Sequence, residues 1–288
     1  MQNIGLIGVG KAGKMFFDSL HSKGYSVTCF DRGHKIEYVK EQGATLVDTP
    51  GKVVELTDTI LIAVPGSTEV EAVMQGEDGI LNALEEGQTV IDTTTTKIET
   101  ANKYSSKCSS IGVSWINAPW TSAAPIDDLV MIVGGSDKEY SKSKDILETI
   151  SKQHIHINTV KKAMLLKYLL QIRYAANMAV DAEIVELART ADLDPSHLNS
   201  FFGMDVSEKL FEDDYEPSQE GMGSLEMWDK DLGYAIEYGN GNIPNENGVA
   251  MPLTSAVHAA YKYSNRTTGS NKKHASAVSK YWKTLNSR

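Results

Sequence analysis

Gly5-Leu6-Ile7-Gly8-Val9-Gly10-Lys11-Ala12-Gly13 is the stretch that decides the fold. The apolar run over residues 3–9 predicts a buried strand, and a helical pattern over residues 11–23 follows it at once. Between them, three glycines spaced G-x-G-x-x-G allow a tight turn, close approach of the backbone to a pyrophosphate, and close packing of helix on strand. The helix N-terminus would offer its N–H groups to the phosphates. We predict a dinucleotide-binding turn, with a ligand-free glycine turn as the alternative. The predicted contacts are Gly8, Val9, Gly10, Lys11, Ala12 and Gly13.

An acidic residue stands where the adenosine ribose of a bound dinucleotide is recognised. Asp31 follows the second predicted strand, residues 25–30, at about twenty residues from the glycines. A carboxylate there accepts hydrogen bonds from the ribose hydroxyls and repels a 2′-phosphate, which favours NAD. The neighbouring Arg32 could bind that phosphate, so NADP stays open. A simple helix N-cap is the alternative role for Asp31.

Strand and helix patterns alternate through the first half of the chain. Further strands are predicted at residues 60–64, 90–92, 114–118 and 129–133, and helices at residues 34–42 and from Lys97 onward. Such alternation predicts a mostly parallel sheet covered by helices on both faces, the arrangement of a Rossmann domain.

The second half contains helical patterns only. A long one runs from Thr159 to Ala191 without Gly or Pro and is stopped by Asp194-Pro195. Further helices are predicted at residues 196–204, 225–237, 252–263 and 275–284. We therefore predict an α/β Rossmann domain over residues 1–158 and an all-helical domain over residues 159–288, joined by the long helix.

The composition excludes several classes of function. The chain has 288 residues and a formal net charge of −10, so it lacks the basic balance of a protein that binds nucleic acid backbones. Its two cysteines, Cys29 and Cys108, have no metal-binding spacing, and no run approaches the roughly 18 apolar residues of a membrane span. No basic-then-apolar leader opens the sequence. We expect a cytoplasmic protein that binds no metal, nucleic acid or membrane.

Two segments end predicted strands on the side where an open parallel sheet binds ligands. Ala63-Val64-Pro65 ends one strand, and Asp92-Thr93-Thr94-Thr95 ends another. Ligands bind outside the carboxyl ends of such strands, and short hydroxyl side chains or a chain-turning proline suit that crevice. Val64, Pro65 and Thr95 are candidate cofactor contacts, while a helix entry without ligand contact is the alternative for the threonines.

A lysine interrupts the apolar face of the long helix. Lys167 and Gln171 are four residues apart and share one face, which Tyr174 and Met178 continue. Spacing alone favours a lysine that extends along apolar neighbours to reach solvent. The alternative is an acid/base, because a partly desolvated lysine loses its proton more readily.

Seven segments, taken in order, resemble those of the β-hydroxyacid dehydrogenase family, which includes 3-hydroxyisobutyrate dehydrogenase and tartronate semialdehyde reductase. The similarity covers nearly the whole chain, and the ordered series is more specific than any single motif. The segments are GLIGVGKAG (5–13), VIDTTTT (90–96), NAPWTSA (117–123), MIVGG (131–135), KYLLQ (167–171), DKDLGYA (229–235) and HASAV (274–278).

The resemblance implies hydride exchange between NAD(P) and a small β-hydroxy acid or semialdehyde, in an active site between the two domains. It implies that Lys167 is the general acid/base and that Thr95 lies on the nicotinamide side of the cofactor. It also implies a homodimer or homotetramer formed through the helical domains. The residues that it places on the substrate side are Thr121, Ser122, Ala123, Gln171 and Lys230, with Lys230 also near the nicotinamide.

The chain departs from the family pattern on the substrate side. Thr121-Ser122-Ala123 stands where the family usually has Ser-Gly-Gly, and Gln171 replaces an asparagine. Glycines in such loops let backbone N–H groups approach a carboxylate, so added side chains alter that grip. We expect a dehydrogenase with an unusual substrate. An imine reductase-like enzyme, against which Lys167 speaks, and a non-catalytic NAD(P)-binding protein are the alternatives.

Overall fold

The structure is a computed structural model that describes residues 2–33, 36–122, 129–217, 223–241 and 248–286. The chain divides into two compact units, residues 1–167 and residues 168–288. The division falls within one continuous helix, and the domain boundary predicted after residue 158 lies just before that helix and stays a prediction.

Within the described parts of the first unit, nine strands form one sheet. They are β1 (Asn3–Ile7), β2 (Ser26–Phe30), β3 (Thr45–Leu46), β4 (Thr59–Ile62), β5 (Thr89–Asp92), β6 (Ser114–Asn117), β7 (Trp120–Ser122), β8 (Leu129–Gly134) and β9 (Gln153–Ile157). The order is β3-β2-β1-β4-β5-β6-β8-β7, and β9 also pairs with β8. Strands β1 to β6 pair in parallel where they are neighbours, whereas β8 runs antiparallel to β6 and β7.

Helices connect these strands and make up the regular structure described in the second unit. They are α1 (Lys11–Ser22), α2 (Ile36–Glu41), α3 (Pro50–Glu55), α4 (Ser67–Met74), α5 (Ile80–Ala83), α6 (Ile98–Ser110), α7 (Asp137–Ile150), α8 (Val160–Thr190), α9 (His197–Phe202), α10 (Glu208–Phe211), α11 (Leu225–Gly239), α12 (Pro252–Thr267), a 3-10 helix (Ala275–Ser279) and α13 (Lys280–Asn286). A mostly parallel α/β region followed by helices confirms the predicted fold class.

The core of the first unit lies around central strands that are buried on both faces. All four residues of β4 and of β5 are buried, as expected for parallel strands covered on both sides. Helix α1 buries Phe16, Phe17 and Leu20, which recur at helical spacing, against this sheet.

The second unit has a core of its own, built on small residues of α8. Ala175, Ala179 and Ala182 recur at helical spacing and are buried. Their small side chains allow large aromatic groups to approach the helix. Tyr261 of α12 is fully buried in this cluster, and Trp228 of α11 stacks on it with 5.7 Å between ring centroids.

The order of the strands determines where the first unit can bind a ligand. The chain passes from β1 outward to β2, and the next strand to pair with β1, on its other side, is β4. The carboxyl ends of β1 and β4 therefore flank a topological switch point, where open α/β sheets bind their ligands. Gly8 follows β1 and Ala63 follows β4, so the glycine turn lies at this edge.

Several elements lie outside the sequence-based prediction. The short strands β3, β7 and β9 and the helices α3, α4, α5, α7 and α10 were not predicted, and residues 34–35 of one predicted helix lie outside the described residues. The segment over residues 275–284, predicted as one helix, starts as the 3-10 helix before α13.

Candidate active site

The glycine turn after β1 has the geometry that the sequence predicts. Gly8 has a φ of +94°, and a Cβ there would lie 2.3 Å from the carbonyl oxygen of Ala63. A Cβ on Gly13 would lie 1.9 Å from the carbonyl oxygen of Gly8, so only glycine allows α1 to pack this closely. A Cβ on Gly10 would meet nothing within 4 Å. The chain's own packing therefore does not require Gly10, whereas close approach of a dinucleotide pyrophosphate would. This cradle fits the cofactor.

Asp31 is tied to the glycine turn. Its carboxylate accepts hydrogen bonds from the backbone N–H of Val9, at 2.5 Å, and from the backbone N–H of Gly33. These bonds hold the end of β2 against the turn that follows β1. Arg32, the residue that leaves NADP open, is exposed.

A buried polar network fixes the ends of β4, β5 and β6 beside the turn. Asp92 accepts hydrogen bonds from the backbone N–H of Thr94 and from the Asn117 side chain, both at 3.0 Å. Asn117 in turn accepts from the Trp115 indole at 2.7 Å, and the Thr94 hydroxyl accepts from the backbone N–H of Val64 at 3.4 Å. All four interacting side chains are buried. Sequence reasoning missed Asn117 and Trp115, because nothing in their spacing links them to Asp92.

The threonines that follow β5 differ in whether their side chains could contact a cofactor. The side chains of Thr93 and Thr94 are buried and hydrogen-bonded within the fold, whereas Thr95 is only half-buried. Val64 is half-buried and Pro65 is exposed at the same edge of the sheet. The positions of Val64, Pro65 and Thr95 agree with a cofactor role, which stays a prediction.

The buried lysine of α8 contacts the residue that precedes the predicted substrate contacts Thr121, Ser122 and Ala123. Lys167 is 5% exposed, and its Nζ donates a hydrogen bond to the backbone carbonyl of Trp120 at 2.7 Å. The lysine is therefore buried. Spacing alone favoured a lysine that reaches solvent, and the structure does not show that. Thr121 follows Trp120 in β7 and is half-buried. For Ser122 the backbone alone is described, and Ala123 lies outside the described residues.

Gln171 and Lys230, the other predicted substrate-side residues, meet at a third side chain. Gln171 Nε2 donates to Asp231 Oδ2 at 2.6 Å, and Lys230 Nζ lies 3.1 Å from Asp231 Oδ1. Gln171 and Asp231 are buried, at 5% and 1% exposure. Sequence reasoning assigned Asp231 no part in the site. Its position among the apolar residues of α11, beside Leu232 and three residues from Trp228, was the available signal of a buried partner.

No group of three or more metal-ligating side chains occurs among the residues that the structure describes. Within the same residues, no helix is both long enough and apolar enough to cross a membrane.

A doubly wound, mostly parallel sheet with a glycine cradle at its switch point defines a dinucleotide-binding protein of the Rossmann class. A sequence family described as the NAD binding domain of 6-phosphogluconate dehydrogenase matches residues 3–160. The chain belongs to this family and, with it, to the β-hydroxyacid dehydrogenases. It is an NAD(P)-dependent oxidoreductase, as the sequence analysis predicted.

Relatives of similar length support this assignment. The chain is 26% identical to 2-(hydroxymethyl)glutarate dehydrogenase of Eubacterium barkeri, over 98% of this chain and 95% of that protein. It is 25% identical to the mitochondrial 3-hydroxyisobutyrate dehydrogenase of Mus musculus, over 96% of this chain and 86% of that protein. A solved structure of Mycobacterium tuberculosis 3-hydroxyisobutyrate dehydrogenase with L-serine has the same fold, with a TM-score of 0.83 at 20% identity and coverage of 98% and 99%.

Proposed function

We propose that the protein transfers hydride between a nicotinamide and a small β-hydroxy acid or semialdehyde, with Lys167 as the general acid/base. The observation that carries this proposal is the buried Lys167 Nζ, 2.7 Å from the carbonyl of Trp120, the residue that precedes Thr121 in β7. The hydrogen bond to a backbone carbonyl fixes the position of the buried Lys167 amine, which is what a group that exchanges a proton with the substrate requires.

The chemistry assigns one task to this lysine. Oxidation of an alcohol removes a hydride and a proton, and the nicotinamide, when bound, takes the hydride. Neutral Lys167 would accept the hydroxyl proton and become an ammonium, which has three N–H donors. In reduction, the Lys167 ammonium would return that proton to the nascent alkoxide. The Trp120 carbonyl orients the group in both states because it accepts from the amine and from the ammonium alike.

Asp31 supports a preference for NAD over NADP. Its carboxylate is fixed at the end of β2 by the Val9 and Gly33 N–H groups. A negative charge held at this position repels a 2′-phosphate. The exposed Arg32 is the residue through which NADP would bind if this preference is wrong.

The first experiment combines cofactor titration with a matched pair of lysine variants. Purified protein is titrated with NADH and NADPH, and turnover is then measured on 3-hydroxy acids and short semialdehydes. Lys167→Met is expected to lower kcat by about 100-fold or more while NADH affinity is kept. Lys162→Met, at an exposed lysine of the same helix, is expected to leave both unchanged.

The other outcomes have distinct meanings. If Lys167→Met keeps both activity and cofactor binding, Lys167 is not the general acid/base. Turnover of imines in place of semialdehydes would favour the imine reductase alternative. Cofactor binding without turnover on any panel would favour a non-catalytic NAD(P)-binding protein.

A homodimer or homotetramer in the cytoplasm is part of the same proposal. Phe201 and Phe202 of α9 are 75% and 76% exposed, and adjacent exposed aromatic residues favour association. Light scattering on the purified protein measures the number of copies, and a monomer at micromolar concentration would contradict this part.

A further inference from the structure

A buried carboxylate on α11 holds both polar side chains that the sequence placed on the substrate side. Asp231 is 1% exposed, and its Oδ2 accepts from Gln171 Nε2 at 2.6 Å. Its other oxygen, Oδ1, lies 3.1 Å from Lys230 Nζ. Oδ2 therefore accepts the hydrogen bond from Gln171, whereas Oδ1 is buried within ion-pair distance of Lys230 Nζ and accepts no hydrogen bond from the residues that the structure describes.

This arrangement fixes which end of the Gln171 amide faces Asp231. A carboxylate only accepts hydrogen bonds, so the end of the amide that faces it must be the NH2 group. The reversed amide would bring two oxygen acceptors to about the same separation in a buried site, with neither bonded. The carbonyl oxygen Oε1 is therefore the end that Gln171 presents away from Asp231.

The position of Gln171 on α8 then gives that oxygen a chemical meaning. Gln171 lies four residues after Lys167, and residues at this spacing are neighbours on one helix face. An acceptor beside the acid/base pairs with a group that carries a proton. The carboxylate of a hydroxy acid has only acceptors, so it is not the group that Gln171 Oε1 binds.

We propose that Asp231 is a positioning residue, which orients Gln171 so that its Oε1 accepts a hydrogen bond from the substrate hydroxyl. The inference rests on the proposed function and names the substrate group recognised at this part of the site. It predicts discrimination for the alcohol over an otherwise identical acid that lacks the hydroxyl.

The test measures binding, so it does not depend on turnover. The probes are 3-hydroxyisobutyrate and isobutyrate, which differ by one hydroxyl group. Their dissociation constants are measured by calorimetry with saturating NADH, because a reduced cofactor and an alcohol cannot react. The quantity compared between variants is the dissociation constant of isobutyrate divided by that of 3-hydroxyisobutyrate. A high ratio means that the protein recognises the hydroxyl group.

The variants separate the orienting role from a structural one. Gln171→Met is expected to lower the ratio by about tenfold, the effect of one lost hydrogen bond. Asp231→Leu is expected to lower it by about fivefold or more, and the double variant no further than Gln171→Met alone. Asp231→Asn, which can still accept from the Gln171 NH2, is expected to keep the ratio within about twofold.

A neighbouring carboxylate provides the matched control. Asp229 is also on α11 and is half-buried, but it pairs with His258 at 2.7 Å and with Asn265 at 2.7 Å. Asp229→Asn is expected to lower the melting temperature without changing the ratio. Melting curves and NADH affinity identify any variant that fails to fold.

Three results would overturn the inference. The first is a ratio that Gln171→Met leaves unchanged, which counts even if the Asp231 variants do not fold. The second is Asp231→Leu weakening both acids equally. The third is wild-type protein that turns over a hydroxy acid yet binds the two probes equally, which leaves the proposed function standing. If neither probe binds and no hydroxy acid is turned over, the proposed function is wrong, and this inference is then wrong as well.

Discussion

The two units hold their polar groups in different ways. At the glycine turn of residues 1–167, backbone geometry fixes the site: Gly8 and Gly13 are required by close backbone contacts, and Asp31 accepts from backbone N–H groups. In residues 168–288, side chains from different helices fix one another, as in the pair formed by Gln171 and Asp231. Backbone requirements follow from residue type and spacing, whereas side-chain pairs follow from packing between distant segments.

The largest expected effect tests whether backbone contact determines the sheet edge. Gly13→Ala is expected to lower the free energy of unfolding by about 3 kcal/mol and to abolish NADH binding, because its Cβ would lie 1.9 Å from the Gly8 carbonyl oxygen. Helix propensity alone predicts the opposite sign, a gain of about 1 kcal/mol. Urea unfolding and NADH fluorescence measure the two effects.

Gly10→Ala is the matched control for this prediction. Its Cβ meets nothing within 4 Å, so stability is expected to be kept while NADH affinity falls. Equal stability losses in both variants would show that contact with the Gly8 carbonyl is not what requires glycine at position 13.

A smaller, pH-dependent effect is expected in the helical unit. Burial, and then the charge of Lys209, lower the pKa of His274 from 6.5 to about 4. Unfolded protein therefore binds more protons between these values, so stability is full above about pH 6.5 and is lost as the pH falls towards 4, by up to about 3 kcal/mol. The His274 Nδ1 accepts from the backbone N–H of Ser276 at 3.2 Å, and protonation removes that acceptor.

Urea midpoints at pH 7 and pH 4.5 measure this loss, with His274→Asn as the comparison. Asparagine keeps an acceptor at the start of the 3-10 helix but does not titrate. The variant is expected to have a flatter pH dependence over this range. A wild-type midpoint that does not fall, or a variant midpoint that falls equally, contradicts the assignment to His274.

The smallest expected effect concerns the buried network beside the glycine turn. Asp92→Asn keeps the shape of the side chain but offers an NH2 group to one of two donors, the Thr94 N–H or the Asn117 amide. The unsatisfied donor is expected to cost about 1–2 kcal/mol. Urea unfolding measures the loss, with Asp58→Asn at an exposed carboxylate as the control. Equal midpoints in the two variants would mean that the second Asp92 acceptor contributes nothing to stability.

The sequence predicted those parts of the molecule where local pattern and final structure coincide. Strands such as β1 and β4 are mostly apolar runs, and the spacing of the glycines predicts the turn between β1 and α1. Strand β9 was not predicted because its sequence, QHIHI, is half polar. Its histidines are held by Tyr140 of α7, which hydrogen-bonds His154 at 2.8 Å and stacks on His156 with centroids 4.2 Å apart.

Two other omissions have different causes. Helix α7 could have been predicted, since Ser136 and Glu139 form a capping box that is visible in the sequence. Asp231 as the partner of Gln171 could not, because the two residues are 60 positions apart and no periodicity links them. The substrate side is therefore the part of the protein for which sequence reasoning alone is weakest.

Helix α8 has a consequence for how this protein can change over evolution. Its 31 residues form one uninterrupted helix that carries both Lys167 and Gln171. One inserted or deleted residue between them would turn Gln171 by about 100° away from the lysine's face. Substitution at Gln171 or at its partner Asp231 leaves that alignment intact. We therefore expect substrate preference to change in evolution through substitutions in this segment, and we expect insertions and deletions there to be selected against.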